Sequence, residues 1–220
     1  MKKRITIAVD GPSGSGKSTV SRALAERLGY RYVDTGAMYR AIALRSKMMG
    51  VDHEDDDGLE EVCRGVEFEF RGNKIFMNGE DISAQIRTPE MDGHSSLVSA
   101  RAPVRKAMIN LQRKMAEGGG VVMEGRDIGT VVLRDADAKF FLTADPDIRG
   151  KRRFDERNVR GEDVNYNRVL SDMGKRDKDD SARELSPLKP DRDAKIIDTT
   201  NVNVKKVLEI IMKELEKGDD

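Results

Sequence analysis

The stretch GPSGSGKST, residues 11–19, carries the most specific chemical signal in this sequence. Its residues fit the G-x-x-x-x-G-K-[ST] pattern without a gap. Glycines let the backbone curl until successive N–H groups face one anion, and a following helix N-terminus adds partial positive charge. The pattern predicts that a nucleotide phosphate binds to Gly11, Pro12, Ser13, Gly14, Ser15, Gly16, Lys17, Ser18 and Thr19. Lys17 would reach the β- and γ-phosphates, and Ser18 would ligate magnesium.

The alternative is a Gly/Ser-rich turn that carries a lysine by chance. The neighbouring residues favour the phosphate loop, because an apolar strand at 5–9 precedes it and a helical period at 21–28 follows it. The loop leaves open whether the nucleotide is a phosphoryl donor, a switch or a motor fuel. A guanine-nucleotide switch is disfavoured, since the nearest match to N-K-x-D, at 73–76, lacks the aspartate.

Arginines follow two further predicted strands. After YVD the sequence continues as TGAMYR, which predicts a helix with Thr35 as its N-cap and with Tyr39 and Arg40 one turn inside. A later strand ends in MEGRDIGT, which contains Arg126 and Asp127. Because the carboxyl ends of parallel strands share one edge of a sheet, both arginines are expected beside the phosphate loop, where they favour a second anion site.

A basic segment, RGKRRFDERNVRGED, lies at 149–163. It could be a solvated helix face, a nucleic-acid patch, or a mobile lid whose arginines close over a transferring phosphate. In the next segment Arg176, Asp180 and Arg183 share a face at i, i+4 and i+7 spacing if the chain is helical there. From the residues alone, an ion-pair ladder on an exposed helix is the preferred interpretation of that spacing.

The elements between these motifs alternate between strand and helix, which predicts an α/β fold with a parallel sheet flanked by helices. The predicted buried strands are Ile5–Val9, Arg31–Asp34, Val121–Met123, Lys139–Leu142 and Lys195–Asp198. The alternating segment VEFEF, followed by turns at Gly72-Asn73 and Asn78-Gly79, predicts a small inserted antiparallel ribbon. Cys63 is expected to be a small helix residue.

The composition excludes several classes of protein. The 220 residues carry 40 basic and 40 acidic side chains, so the formal net charge is zero, which argues against a partner such as duplex nucleic acid. No apolar run approaches the ~20 residues of a membrane helix, so no membrane partner is expected. One cysteine fits a reducing cytoplasm better than secretion. A monomer is expected because there is no heptad run.

The motifs DGPSGSGKST, DTGAMYR, EGRDIGTVV and KRDKDDSAR, in this order, resemble those of bacterial cytidylate kinases. The resemblance covers nearly the whole chain and implies a P-loop nucleoside monophosphate kinase fold with a five-stranded parallel sheet. It implies one domain over 1–220, with a core at 1–34, 118–148 and 184–220, an acceptor-nucleotide region at about 35–117 and a lid at about 149–165. It also implies transfer of the γ-phosphate of ATP to CMP or dCMP with Mg²⁺, in pyrimidine nucleotide metabolism.

The resemblance also assigns roles residue by residue. Arg40 and Arg126 would bind the acceptor phosphate, and Arg176 would reach phosphates as well. The cytosine would contact Ser96, Arg105, Asp127 and Arg183. Thr35, Tyr39 and Asp180 would line the acceptor nucleotide, with Asp180 on the ribose. A carboxylate or hydroxyl paired with guanidinium donors complements the exocyclic amine and ring acceptors of cytosine.

The expected chemistry needs no strong general base, because the acceptor is already an anionic phosphate oxygen. Lys17 and Mg²⁺ would hold the donor, and lid residues Arg152 and Arg153 would meet charge on the transferring group. Two positions differ from some relatives: Ser18, where some have glycine, and Glu124, where some have aspartate. The role of Ser18 on magnesium is therefore not expected to be essential. Glu124 is expected to alter contacts around Arg126 without changing the reaction.

Overall fold

The computed structural model describes residues 4–217 of the chain. The chain divides into two compact units. The first unit holds the chain up to Tyr32 together with the chain from Gly118 onward, and the second holds Val33–Glu117. The phosphate loop and Arg126 therefore belong to the first unit, whereas Arg40 belongs to the second.

Strands and helices alternate along much of the chain. The strands are β1 (Thr6–Asp10), β2 (Arg31–Asp34), β3 (Phe68–Arg71), β4 (Lys74–Met77), β5 (Glu80–Asp81), β6 (Val121–Gly125), β7 (Ala138–Thr143) and β8 (Lys195–Asp198). The α-helices are α1 (Lys17–Leu28), α2 (Thr35–Met49), α3 (Asp56–Cys63), α4 (Pro89–Val98), α5 (Ala102–Ala116), α6 (Pro146–Val159), α7 (Tyr166–Ala182) and α8 (Val204–Lys217). A π-helical turn, Ile128–Val132, follows β6.

Five strands form one sheet in the order β2-β6-β1-β7-β8, which confirms the predicted α/β core. Strand β1 pairs in parallel with β6 and β7, and β7 pairs in parallel with β8. The carboxyl ends of these four strands therefore lie at one edge of the sheet. The chain leaves that edge after Asp10, Gly125, Thr143 and Asp198, so the segments that follow these residues start close together.

Apolar side chains on β1 and its neighbours form the core of the first unit. Ile7 and Val9 are buried, together with Phe140 and Leu142 on β7. Helices α1 and α8 cover the sheet with Leu24 and with Val207 and Ile211. Burying one such side chain contributes roughly 1.5–3 kcal/mol, so this layer holds the central strands, and with them the loop after β1, in a fixed position.

The second unit contains helices α2 to α5 and a three-stranded sheet. Strands β3, β4 and β5 pair in antiparallel fashion, which confirms the predicted ribbon. Asn78 and Gly79 connect β4 to β5 with φ angles of 51° and 84°. Two successive positive φ values are typical of the tight turn that an Asn-Gly pair favours. Cys63 is the buried last residue of α3, as expected of a small helix residue.

The element limits differ from the sequence predictions in four places. β1 runs one residue later than predicted, and β6 continues to Gly125, because Asp10 pairs with Gly125. β7 extends one residue beyond the prediction at each end, because its first residue pairs with β1 and its last residue, Thr143, pairs with β8. The predicted N-cap of α2 is wrong: Asp34 caps the helix and accepts a hydrogen bond from the Ala37 amide at 2.8 Å, and Thr35 is already helical. A carboxylate is as good an N-cap as a hydroxyl, and here it stands one residue earlier.

Candidate active site

The loop between β1 and α1 needs glycine at two positions where the chain packs closely. A Cβ placed on Gly11 would lie 2.1 Å from the Leu142 carbonyl oxygen. A Cβ placed on Gly14 would lie 2.7 Å from the Arg149 carbonyl oxygen, and the φ of Gly14 is 72°. Any side chain at either position would displace backbone, so the loop is set between the end of β7 and the first turn of α6.

Side chains hold each carbonyl of the loop from Gly11 to Ser15. The donor and acceptor pairs are Arg126 Nη1 to Gly11 at 2.8 Å, Lys17 Nζ to Pro12 at 3.0 Å, Arg149 Nη1 to Ser13 at 3.1 Å, Arg152 Nη1 to Gly14 at 3.5 Å and Thr199 Oγ1 to Ser15 at 2.9 Å. These donors occupy the loop carbonyls, and the loop leads directly into the N-terminus of α1 at Lys17. That arrangement suits an anion, because peptide N–H groups at a helix N-terminus carry partial positive charge.

Arg126 connects the loop to helix α7. Besides its bond to Gly11, its Nε donates to Asp180 Oδ2 at 2.9 Å. Asp180 also pairs with Arg183 at 2.6 Å and with Arg176 at 4.0 Å, while only 2% of Asp180 is exposed. Burial favours a neutral Asp180, but the three guanidinium groups outweigh it and lower the pKa of this carboxyl. An ion-pair ladder on an exposed helix is therefore the wrong interpretation of this segment.

Asp10 links β1 to the chain that follows Arg126. Its two carboxylate oxygens accept hydrogen bonds from the amides of Ile128 and Gly129, both at 2.8 Å. Burial raises the pKa of Asp10 to about 7, although the two amides act in the opposite direction. Asp10 was not among the predicted site residues, and its signal in the sequence is an acidic residue that ends an apolar strand immediately before the loop. Asp127, which lies between Arg126 and these amides, is also buried.

Helix α6 carries the basic side chains of the predicted lid. Arg152 donates to the Thr199 carbonyl at 2.6 Å and to Thr199 Oγ1 at 3.0 Å, and Arg153 pairs with Glu156 at 2.8 Å. Thr199 was not among the predicted site residues, and Arg149 was predicted only as one of several lid arginines. Neither role has a local signature, because each depends on a contact with a loop more than 130 residues away along the chain.

The remaining predicted residues belong to the second unit. Arg40 lies 3.6 Å from Asp34 and 4.0 Å from Asp92. The Arg105 guanidinium lies over the Tyr39 ring, 5.9 Å from its centroid, and Arg105 is buried. Thr35 is buried in the first turn of α2, and Ser96 is half-buried in α4. Within this unit, the structure therefore brings Tyr39 and Arg105 together and surrounds Arg40 with two carboxylates.

A phosphate loop on a parallel sheet, with arginines at the strand ends, defines an α/β P-loop fold of the kind found in small phosphotransferases. The Cytidylate kinase family model matches residues 7–217, so the chain belongs to the cytidylate kinase family. It is 46% identical to a cytidylate kinase of Citrifermentans bemidjiense, over 98% of this chain and 96% of the relative. It is 47% identical to a cytidylate kinase of Syntrophotalea carbinolica, over 97% and 92%.

The fold is also similar to that of solved kinases. A shikimate kinase from Bacteroides thetaiotaomicron superposes with a TM-score of 0.51 at 13% identity, over 96% of this chain and 98% of that one. At this identity the likeness shows the fold alone. Across residues 4–217, no helix has the length and apolar character to cross a membrane.

Proposed function

We propose that this protein is an ATP-dependent cytidylate kinase, which transfers the γ-phosphate of ATP to CMP or dCMP and yields ADP and CDP or dCDP. The choice of acceptor rests on membership of the cytidylate kinase family over residues 7–217. The observation that carries the transfer reaction is the 2.8 Å contact between Arg126 and the Gly11 carbonyl. It sets a guanidinium, the side chain best suited to bind a phosphate, at the first residue of the donor-phosphate loop.

The donor phosphates would bind to residues 11–19. Lys17 is buried at the start of α1 and would neutralise the β- and γ-phosphates. Ser18 lies exposed beside it, and its hydroxyl is a hard oxygen donor of the kind Mg²⁺ binds. These residues fit Mg²⁺ held jointly by Ser18 and nucleotide phosphates. When bound, Mg²⁺ neutralises charge on the phosphate oxygens.

The acceptor phosphate would bind to Arg40 and Arg126, with Arg176 reaching phosphates as well. Because the attacking oxygen is already anionic, positioning and charge neutralisation supply most of the rate enhancement. Arg126 is suited to this role, since the Gly11 carbonyl and Asp180 hold it from two sides. Lid residues Arg152 and Arg153 would meet charge on the transferring group, and Arg152 would then exchange its bonds to Thr199 for bonds to phosphate.

The cytosine would be read by Ser96, Arg105, Asp127 and Arg183, and the rest of the acceptor nucleotide would lie against Thr35, Tyr39 and Asp180. Burial of Arg105 and Asp127 supports this proposal, because hydrogen bonds to a base discriminate best when an unsuitable base leaves buried polar groups unpaired. Uracil would present a carbonyl where the cytosine amine binds. Asp180 would contact the ribose while it keeps its arginine partners.

A substrate panel tests the proposal. CMP, dCMP, UMP, AMP and a sugar acid are each incubated with ATP and Mg²⁺, and ADP formation is followed. We expect CMP and dCMP to be phosphorylated with the highest kcat/KM. Preference for UMP, AMP or the sugar acid would contradict the assignment and would indicate another small phosphate-loop kinase.

We further propose that the protein works as a monomer in the cytoplasm. Cys63 is the single cysteine and is buried, so it has no partner for a disulfide within the chain. Burial also raises the pKa of its thiol to about 11, which disfavours the reactive thiolate and fits a reducing compartment. Light scattering coupled to gel filtration tests the monomer directly. A mass of twice 24.6 kDa at micromolar concentration would contradict it.

A further inference from the structure

The first turn of α6 lies directly against the phosphate loop. The Arg149 carbonyl oxygen is the atom that a Cβ on Gly14 would strike at 2.7 Å, and the Arg149 Cβ would be 3.0 Å away. Gly150, the next residue, lies against helix α7, where an added Cβ would be 2.8 Å from Cδ1 of the Leu170 side chain. The loop therefore packs against α6, and α6 packs against α7, with a glycine at each contact.

The Arg149 side chain spans this contact. Its Nε donates to the Ala144 carbonyl at 3.1 Å and its Nη1 to the Ser13 carbonyl at 3.1 Å, and Nη1 also pairs with the Asp177 carboxylate on α7. Arg149 is only 8% exposed. A buried guanidinium with this set of partners joins the end of β7, the phosphate loop and α7 through one rigid group.

The same arrangement occurs a second time one turn further along α7. Arg126 bonds to the Gly11 carbonyl and to Asp180, just as Arg149 bonds to the Ser13 carbonyl and to Asp177. Asp177 and Asp180 are three residues apart and lie on one helix face. Helix α7 thus holds the loop through two parallel carboxylate–arginine–carbonyl contacts, which we term the Arg149 bridge and the Arg126 bridge.

We propose that Arg149 and Asp177 are positioning residues for donor binding: the Arg149 bridge keeps the Ser13 carbonyl turned away from the nucleotide and so keeps the loop N–H groups facing the phosphates. Without the bridge, the Ser13 peptide is free to rotate, and the loop pays an ordering cost when the nucleotide binds. The inference rests on the proposed function only in taking an adenine nucleotide as the ligand of the loop.

Direct binding of ADP with Mg²⁺, measured by calorimetry at room temperature, tests the proposal. Arg149→Met keeps an unbranched apolar stem about as far as the position of Nε but removes the guanidinium, and we expect it to weaken ADP binding by about tenfold or more, the scale of a lost charge-assisted hydrogen bond. Lys151→Met removes a positive charge from an exposed position two residues away and should stay within about twofold of the parent.

Asp177→Asn provides the second variant, with Asp179→Asn as its control, because both remove one negative charge from α7 and Asp179 is exposed. We expect Asp177→Asn to weaken ADP binding by about threefold or more and Asp179→Asn to stay within about twofold. The double variant Arg149→Met with Asp177→Asn should bind ADP no more weakly than the weaker single variant, because the two residues act through one bridge.

Steady-state kinetics separate positioning from a general loss of structure. A positioning role predicts that Arg149→Met raises the KM for ATP several-fold more than the KM for CMP, and that Arg149→Lys recovers part of the loss. ADP binding by Arg149→Met within about twofold of the parent would overturn the proposal. Multiplicative effects in the double variant would overturn it as well. If Arg149→Met does not fold, ADP binding by Asp177→Asn becomes the measurement that decides the proposal. A parent that binds no ADP would instead contradict the proposed function.

Discussion

Arg126 donates a 2.8 Å hydrogen bond to the carbonyl of Gly11, although 115 residues separate the two along the chain. Gly11 opens the phosphate loop at the end of β1, and Arg126 follows the end of the neighbouring strand β6. The contact joins a group proposed to bind the acceptor to the loop proposed to bind the donor. In-line transfer requires the γ-phosphate of the donor and the phosphate of the acceptor to lie next to each other. We therefore expect the largest effect of a single substitution at this contact.

We expect Arg126→Met to lower kcat/KM for CMP by about 100-fold or more, equivalent to roughly 2.7 kcal/mol of lost transition-state stabilisation. Asp180 keeps Arg183 at 2.6 Å, so the free energy of unfolding should fall by only about 1 kcal/mol and the melting temperature by a few degrees. Arg192→Met, at a side chain that is 91% exposed, is the matched control. Turnover of Arg126→Met within about threefold of the parent would show that the role assigned to Arg126 is wrong.

Asp180→Asn should destabilise the protein in a pH-dependent way. Three arginines hold the pKa of Asp180 below its ordinary value of 3.8, so the charged carboxylate stabilises the folded state above about pH 4. The contribution, roughly 1.5–3 kcal/mol, is lost as the pH falls through the folded-state pKa. Urea unfolding of parent and variant from about pH 7 down to about pH 3 should therefore show a difference that shrinks in acid. Asp179→Asn should show no such convergence.

Asp10 should give the opposite dependence on pH. Its pKa is about 7 in the folded protein and near 3.8 in the unfolded chain, so between these values the folded state retains a proton that the unfolded state has released. Raising the pH across this interval therefore destabilises the parent relative to Asp10→Asn, by at most about 1.4 kcal/mol per pH unit. Urea unfolding of both proteins from about pH 4 to about pH 8 measures the difference. We expect the unfolding free energy of the parent minus that of Asp10→Asn to fall as the pH rises. A value that stays constant or increases with pH would contradict the expectation.

Gly14→Ala and Gly65→Ala distinguish two reasons why a position requires glycine: a positive φ angle and a lack of space for a Cβ. Both residues have positive φ angles, 72° and 66°, but an added Cβ meets the Arg149 carbonyl at 2.7 Å in the first case and no atom within 4 Å in the second. Gly65→Ala should cost about 1 kcal/mol of backbone strain and leave ADP binding unchanged. Gly14→Ala should cost about 2–4 kcal/mol and weaken ADP binding, because the loop and α6 must separate. Equal unfolding free energies for the two variants would be evidence against the close packing of loop and helix.

Much of the fold follows from local patterns. The strands Arg31–Asp34 and Lys195–Asp198 are predicted residue for residue, and the ribbon after Val66 is predicted from alternation and its Asn-Gly turn. Errors fall at element ends, such as the N-cap of α2, where Asp34 and Thr35 are both chemically suited and only the backbone angles decide between them. The functional roles proposed for Ser96, Arg105 and Arg153 stay predictions that ligand binding can test.

The sequence by itself determined the phosphate loop, the alternation of strands and helices and the family, because each of these is encoded in contiguous residue types and short spacings. Only the tertiary structure decided which side chains meet the loop. Arg149 and Asp177 lie in segments marked by their charge or motif, but nothing in those segments distinguishes them from their neighbours, and Thr199 lies in no motif. Asp10 and Asp180 become unusual only when folding buries them among amides or arginines. A hydrogen bond or a desolvated charge depends on positions in space, and chain segments more than 100 residues apart acquire those positions only when the sheet forms.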